Sequence, residues 1–218
     1  MFWDLMLALP YWGRVMKQVA AVVCLIWLLG SCGGGGGGDS GGGGIDPRLA
    51  RLDIYEAQKL RVLGDPGAGV MALPVTDIAS VPDSGEFLFL GSATIGIEDP
   101  VQPLVLYGDA RVALRFDSGE ATGTLDNFFG NTGTGNVANY GGFIGLHSGA
   151  VGQNIALEYA GVLTAPQDTL IFDGALRGVL LGNPIGALAV ADLEADVDNN
   201  GVSQDATVIV IAERQNQP

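Results

Sequence analysis

The sequence of 218 residues carries 24 acidic and 10 basic side chains, which gives a net charge of −14 at pH 7. A chain this acidic repels the phosphate backbone of nucleic acids, and we therefore exclude nucleic acid as a partner. Both cysteines, Cys24 and Cys32, lie near the N-terminus. The chain after residue 32 therefore has no thiol for a disulfide or for nucleophilic chemistry.

Residues 1–31 have the composition of a signal peptide. Met16-Lys17 is the basic start, residues 19–29 are the apolar run, and Leu29-Gly30-Ser31-Cys32 resembles the lipobox of bacterial lipoproteins. A transmembrane helix is the alternative, but the apolar run is only about half of the ~20 residues that span a bilayer. We predict a lipid on Cys32, with Met16 as an alternative start of the chain.

Glycine dominates residues 33–44, where Asp39 and Ser40 are the only other residues. Such a segment behaves as a random coil with an r.m.s. reach of roughly 20 Å. Gly33 stands where aspartate would signal retention in the inner membrane, so the sequence favours the outer membrane. Residues 32–44 are predicted to tether a domain of net charge −15 to that membrane, at the cell surface or on the periplasmic face.

A helix is predicted at the start of residues 45–84. Asp46 can cap it, Pro47 is tolerated in its first turn, and Gly64 can end it. Its imperfect apolar stripe consists of Leu49, Leu52, Ala57 and Leu60. Two interpretations remain open: the helix packs on the domain, or its basic residues face anionic lipid or an acidic partner. The segment that follows is rich in glycine and proline and is predicted to be a connector.

Residues 85–214 alternate between apolar and polar side chains, which is typical of half-buried β-strands. The alternation is clearest over 86–98, 104–117 and 120–126, and Asp117-Ser118-Gly119 is a predicted turn. Residues 128–152 are rich in glycine and asparagine, and we predict a long loop there with a short strand at 143–146. Further strands are predicted around 155–163, 170–180 and 207–212. Residues 187–195 are compatible with a helix or a strand, and we favour a strand, for a total of seven or eight.

Glycines recur inside these strand patterns, at Gly91, Gly108, Gly123, Gly161, Gly174 and Gly178. Because interior glycines weaken a strand, their repetition indicates sharp coiling, which favours closure into a barrel. We predict an all-β fold, an antiparallel up-and-down barrel of about eight strands over residues 85–214. Glycine and alanine at inward positions would leave room in such a barrel for a lipid.

Three stretches resemble the β-barrel domain of transferrin-binding-protein-like surface lipoproteins, which is similar to the barrel of factor H binding protein. These stretches are residues 81–91, 114–128 and 211–214. The resemblance covers roughly residues 80–214 and implies an eight-stranded barrel behind a lipidated cysteine and a glycine-rich tether. It also implies binding of an external protein or of an iron or haem-type ligand, and it assigns no binding residue.

The sequence offers little catalytic chemistry. A triad needs a nucleophile, a base and an orienting group, and the single histidine, His147, lies in the predicted loop. Residues 130–135 are rich in glycine but are not followed by Lys-Ser/Thr, so they do not form a phosphate loop. We therefore predict that the protein is not an enzyme.

Residues 196–201, Asp-Val-Asp-Asn-Asn-Gly, match the first half of an EF-hand calcium loop. Candidate oxygen ligands for calcium are Asp196, Asp198, Asn200 and Asp205. Thr207 stands at the position where an EF-hand has a bidentate glutamate, so the match is incomplete. The alternative is a hairpin turn, because Asn-Asn-Gly readily adopts positive φ.

The sequence thus predicts an outer-membrane lipoprotein that binds an external protein or an iron or haem-type ligand without catalysis. Two other functions stay open. One is a structural envelope protein stabilised by calcium at residues 196–205, and the other is a barrel that encloses a lipid.

Overall fold

The computed structural model describes residues 46–99, 102–132 and 137–215. The predicted signal peptide, the lipid on Cys32 and the glycine-rich tether lie outside these residues. No helix in the described ranges is long and apolar enough to cross a membrane.

One α-helix and nine β-strands make up most of the described chain. The helix is α1 (Pro47–Leu63). The strands are β1 (Glu86–Ile97), β2 (Leu104–Arg115), β3 (Glu120–Asn131), β4 (Val137–Asn139), β5 (Gly141–Val151), β6 (Asn154–Thr164), β7 (Thr169–Leu181), β8 (Ala187–Asn199) and β9 (Val202–Arg214).

Eight of these strands close into a barrel in which every paired neighbour is antiparallel. The order around the barrel is β1-β2-β3-β5-β6-β7-β8-β9, and β9 pairs with β1 to complete the circle. The short strand β4 pairs with the end of β3. The predicted all-β, antiparallel up-and-down barrel of about eight strands, with one helix before it, is confirmed.

The barrel has two ends, which we name by their loops. The upper end carries the β1–β2, β6–β7 and β8–β9 connections, and the lower end carries the β2–β3, β5–β6 and β7–β8 connections. The predicted turn at 117–119 is present at the lower end, where Gly119 adopts a φ of 68°.

Inward-facing side chains fill the barrel. They form one continuous apolar cluster, whose largest fully buried members are Tyr159, Phe89, Phe128 and Phe172. A Cβ atom at Gly108 would lie 2.6 Å from the Phe128 ring, and one at Gly174 would lie 2.5 Å from the Tyr159 hydroxyl. The expectation that glycines leave room inside is therefore wrong at these positions, because aromatic rings occupy the space.

The helix α1 begins and ends as predicted, but it packs through a different face. The Asp46 carboxylate accepts the backbone N–H of Arg48 at 3.0 Å, and Gly64 is the C-terminal cap. The buried residues are Tyr55, Gln58 and Val62, whereas Leu49 and Leu60 are exposed. The barrel wall beneath α1 offers polar partners, including Glu213 and the carbonyl of Leu90, so polar side chains lie in the contact.

Residues 64–85 connect α1 to β1 across the lower end. They contain a 3-10 turn (Ile78–Ser80) and two isolated bridges. Thr76 is fully buried, and its hydroxyl donates to the carbonyl of Gly182 at 2.7 Å. Val81 packs against the barrel core, so the predicted connector also covers this end of the barrel.

The predicted long loop at 128–152 is wrong. Strand β3 continues to Asn131, β4 follows, and β5 occupies Gly141–Val151. Ile144 and Leu146 point inward, and a Cβ at Gly130 would collide with the backbone of β2. Glycines here allow neighbouring strands to approach closely. Because they lack side chains, they also interrupt the alternation of apolar and polar residues from which two strands would otherwise have been predicted.

Candidate functional site

A polar cluster joins the first half of α1 to the outer wall of the barrel. The Tyr55 hydroxyl donates to Asp109 Oδ1 at 2.6 Å and accepts from Arg51 at 2.7 Å. Asn127 donates to the other oxygen of Asp109 at 3.0 Å, and Arg51 lies 3.3 Å from that oxygen. The Arg51 guanidinium also stacks 4.8 Å from the Phe129 ring centre. Two strands and the helix thus meet at one carboxylate.

This contact changes the acidity of Tyr55. Burial is the main cause that raises the pKa of Tyr55 to about 12, and the hydrogen bond with Asp109 contributes in the same direction. At the other end of α1, the Arg61 guanidinium donates twice to Glu213 and lowers the pKa of that carboxyl. Arg51 and Arg61 are therefore bound to acids of the barrel, which supports the packed-helix interpretation of α1.

An open cleft lies where β3 and β5 separate. The ladder between these strands covers three residue pairs, from Gly123 with Leu146 to Leu125 with Ile144. Above it the strands diverge and leave a cleft of about 440 Å³, which is lined by Thr124, Asp126, Asn127, Tyr140, Gly141, Gly142 and Phe143. A neighbouring cleft of about 290 Å³ shares Thr124 and Asp126 and runs across β2 to Leu90. We call the two together the outer-wall groove.

The groove has a rigid lining at its upper end. The Tyr140 hydroxyl lies 2.9 Å from Asp168 Oδ2 and 3.0 Å from the carbonyl of Asn131. Burial, followed by the hydrogen bond with Asp168, raises the pKa of Tyr140. This hydroxyl lies between two acceptors and can donate its one proton to either, so Tyr140 links the end of β3 to the β6–β7 connection. Its neighbours Gly141, Gly142 and Phe143 line the groove.

The predicted calcium ligands lie in and beside the β8–β9 hairpin. Asn200 and Gly201 form its turn with φ values of 54° and 87°, and the Gly201 N–H donates to Asp198 Oδ1 at 2.6 Å. Asp196 faces Asp205 across the two strands. Three of the four predicted ligands, Asp196, Asp198 and Asp205, therefore lie on adjacent strands.

The fourth predicted ligand, Asn200, turns toward the β6–β7 connection. Its Oδ1 accepts the N–H of Thr169 and its Nδ2 donates to the carbonyl of Gln167, both at 3.0 Å. Within the described residues, no three histidine, cysteine or acidic side chains come together as a metal site. This geometry favours the hairpin turn, and calcium binding stays a prediction.

The single histidine lies in a strand and not in a loop. His147 belongs to β5, its side chain is more than half exposed, and Nε2 lies 4.0 Å from Glu158 Oε2. Both side chains are on the outer wall, where β5 and β6 pair.

Sequence reasoning missed the residues that form the outer-wall groove. The alternation over 104–117 and 120–126 predicts only that Asp109 and Asp126 lie on the polar side of strands, and Phe143 falls in the short strand predicted inside a loop. One available signal was the apolar side chain at an outward position, since Phe143 precedes the inward Ile144 in the same strand. The pairing of β3 with β5 is not readable from local sequence, and neither is the groove that depends on it.

The fold defines the class of this protein as a filled, eight-stranded antiparallel barrel with a helix across its outer wall. No protein-family model matches the sequence, and no curated protein matches it either.

Proposed function

We propose that this protein is a transferrin-binding-protein-like lipoprotein that is anchored in the outer membrane and binds an external protein without catalysis. The lipobox-like residues 29–32 and the glycine tether support the anchor. The filled interior supports binding on the outside, because aromatic and aliphatic side chains occupy the space that a lipid would need.

The outer-wall groove is the observation that carries this proposal. It is shallow and open, it runs over β1, β2, β3 and β5, and it combines the exposed ring of Phe143 with the carboxylates of Asp109 and Asp126. Protein partners bind wide surfaces of mixed apolar and polar character, whereas small molecules favour deep concave pockets. The filled interior leaves an iron or haem-type ligand only the outside of the barrel as well.

Metabolic labelling with an alkyne analogue of palmitate tests the anchor. We expect the wild-type protein to be labelled and to fractionate with the outer membrane, and Cys32→Ala to lose both properties. Cys24→Ala is the matched control, because it removes the other cysteine and leaves the predicted acylation site intact. Equal labelling of Cys32→Ala and wild type would contradict the proposed anchor.

A further inference from the structure

Three exposed apolar side chains form a row across the outer wall. Phe143 on β5 pairs with Val162 on β6, and Val162 pairs with Ile171 on β7. Their exposed fractions are 60%, 43% and 47%. Direct neighbours on adjacent strands lie about 5 Å apart, so the three side chains form one contiguous apolar surface. We call them the apolar row.

The surroundings of the apolar row leave it accessible. The next outward positions on β5 and β6 are Gly145 and Ala160, which pair with each other and have little side chain to cover their neighbours. Phe143 also lines the outer-wall groove, so the row continues into that groove.

A second apolar area of the outer wall is treated differently. Val62 of α1 packs there with Leu181, Ala187 and Ile211, and Leu73 of the connector packs against the same cluster. The helix and the connector thus cover this area within the chain itself. The apolar row has no such cover among the described residues, and large side chains left exposed in contiguous groups mark interaction sites.

Carboxylates border the apolar row on both sides. Asp126 lies beside Phe143 in the groove, Asp198 pairs with Ile171 across β7 and β8, and Asp173 is two residues beyond Ile171 on the same face. Within the described part of the chain, neither Asp126 nor Asp173 forms an ion pair or a side-chain hydrogen bond. Asp198 accepts the Gly201 N–H and likewise has no cationic partner there.

We propose that the apolar row and its three flanking carboxylates form the docking surface for a protein partner that presents apolar side chains bordered by lysine or arginine. This inference rests on the proposed function and names the surface and the partner chemistry. Protein interfaces have an apolar centre and a polar rim, and complementary charge on that rim speeds encounter and selects the partner.

The same charges argue against two other occupants. A second copy placed face to face on this surface would bring the carboxylates at the rims of both copies together, and such repulsion opposes a stable pair. A bilayer with anionic headgroups would repel the same rim. Electrostatic complementarity therefore selects a basic partner protein.

Three synthetic peptides of equal length test the proposal on the full chain purified in detergent. The first has an apolar centre with lysine and arginine flanks, the second has the same centre with glutamate flanks, and the third has basic flanks around a serine-rich centre. We expect fluorescence anisotropy to show binding of the first peptide. The second and third peptides should each bind with an affinity about tenfold or more lower.

Variants of the protein locate the contact. Phe143→Ser with Ile171→Ser should weaken the first peptide about tenfold or more, and Asp126→Asn with Asp173→Asn should weaken it and reduce its salt dependence. Ile54→Ser is the matched control, because Ile54 is an equally exposed apolar residue on α1. Circular dichroism and thermal unfolding confirm that each variant is folded.

The outcomes separate this inference from the proposed function. Equal binding of the first two peptides, no binding at about 1 mM, or an equal loss with Ile54→Ser would overturn the docking surface. Two other results would also overturn it. One is analytical ultracentrifugation that shows a dimer of the wild type but not of Phe143→Ser. The other is flotation of the wild type, but not of Phe143→Ser, with vesicles of zwitterionic and anionic lipid. None of these results bears on acylation at Cys32, which the labelling experiment decides independently.

Discussion

Tyr55 of α1 makes hydrogen-bond and ring contacts that join the helix to the barrel wall. Its hydroxyl stands between Arg51 of the helix and Asp109 of β2, and its ring stacks near Phe129 of β3. Hydrogen bonds to charged groups contribute more to the free energy of unfolding than bonds between neutral groups. Removing one partner leaves the other without its hydrogen bond unless water replaces it. This residue therefore couples α1 to two strands.

We expect Tyr55→Phe to lower the free energy of unfolding by about 1–2 kcal/mol, because the hydrogen bond to a carboxylate is lost while the ring remains. Urea denaturation followed by circular dichroism measures the change. Tyr107→Phe is the matched control, since Tyr107 packs its ring near Phe129 on the same wall and the described residues give its hydroxyl no hydrogen bond. Equal losses in the two variants would show that the Tyr55–Asp109 bond contributes nothing specific.

The same hydroxyl makes stability depend on alkaline pH. Its pKa is raised to about 12 from an ordinary value of 10.0, so the folded state favours the neutral form. The stabilisation is complete below pH 10 and is lost as the pH rises from 10 toward 12. Between pH 10 and 12, we expect the free energy of unfolding of the wild type to fall by about 1 kcal/mol more than that of Tyr55→Phe. This figure is reduced because solvent near the hydroxyl screens the interaction. Parallel urea-unfolding curves against pH would contradict the assignment.

Position 174 has no room for a side chain larger than that of glycine. A Cβ there would lie 2.5 Å from the Tyr159 hydroxyl and 2.9 Å from Asp192, and the two residues are hydrogen bonded to each other at 3.0 Å. We expect Gly174→Ala to cost about 1–3 kcal/mol by overpacking. Gly145→Ala should change stability by less than about 0.5 kcal/mol, because the nearest atom to its new Cβ is 3.7 Å away. Chemical unfolding of both variants tests the difference.

At the scale of elements, local chemistry was enough to predict most of the fold. Asp46 and Gly64 bound α1 as expected, and strands with clear alternation, such as β1 and β2, appear where they were predicted. Two predictions failed because long-range contacts decide them. The packed face of α1 follows the polar groups of the wall, and β5 is a strand because β3 and β6 pair with it despite its glycines.

The β8–β9 hairpin has two alternative interpretations, a plain turn and a calcium site, and an experiment distinguishes them. The Asp198–Gly201 hydrogen bond closes its turn, and Asn200 holds the turn to the β6–β7 connection through the N–H of Thr169, so groups of the chain itself fix this geometry. We expect EDTA to leave the melting temperature unchanged, and Asp198→Ala to lower it by the same amount with or without EDTA. A chelator-induced fall in melting temperature that Asp198→Ala abolishes would instead establish calcium binding at this hairpin.

At the scale of the whole molecule, the parts divide the work of an anchored binding protein. In the proposed function, the lipobox-like motif and the tether are the attachment. The described residues form the filled barrel, and α1 covers one apolar area of its wall. The groove and the apolar row remain open on the rest of the wall. Neither was predictable from the sequence, because the row depends on the registers of the β5–β6 and β6–β7 pairs and the groove on where β3 and β5 separate.

We propose that this barrel presents its outer wall outside the cell while a lipid on Cys32 holds it in the outer membrane. Protease treatment of intact and of lysed cells, followed with an antibody against residues 46–215, tests it most directly. A periplasmic protein probed in the same samples controls for leakage. We predict loss of the barrel in intact cells while the periplasmic control survives. Survival in intact cells with loss after lysis would contradict the claim and place the barrel in the periplasm.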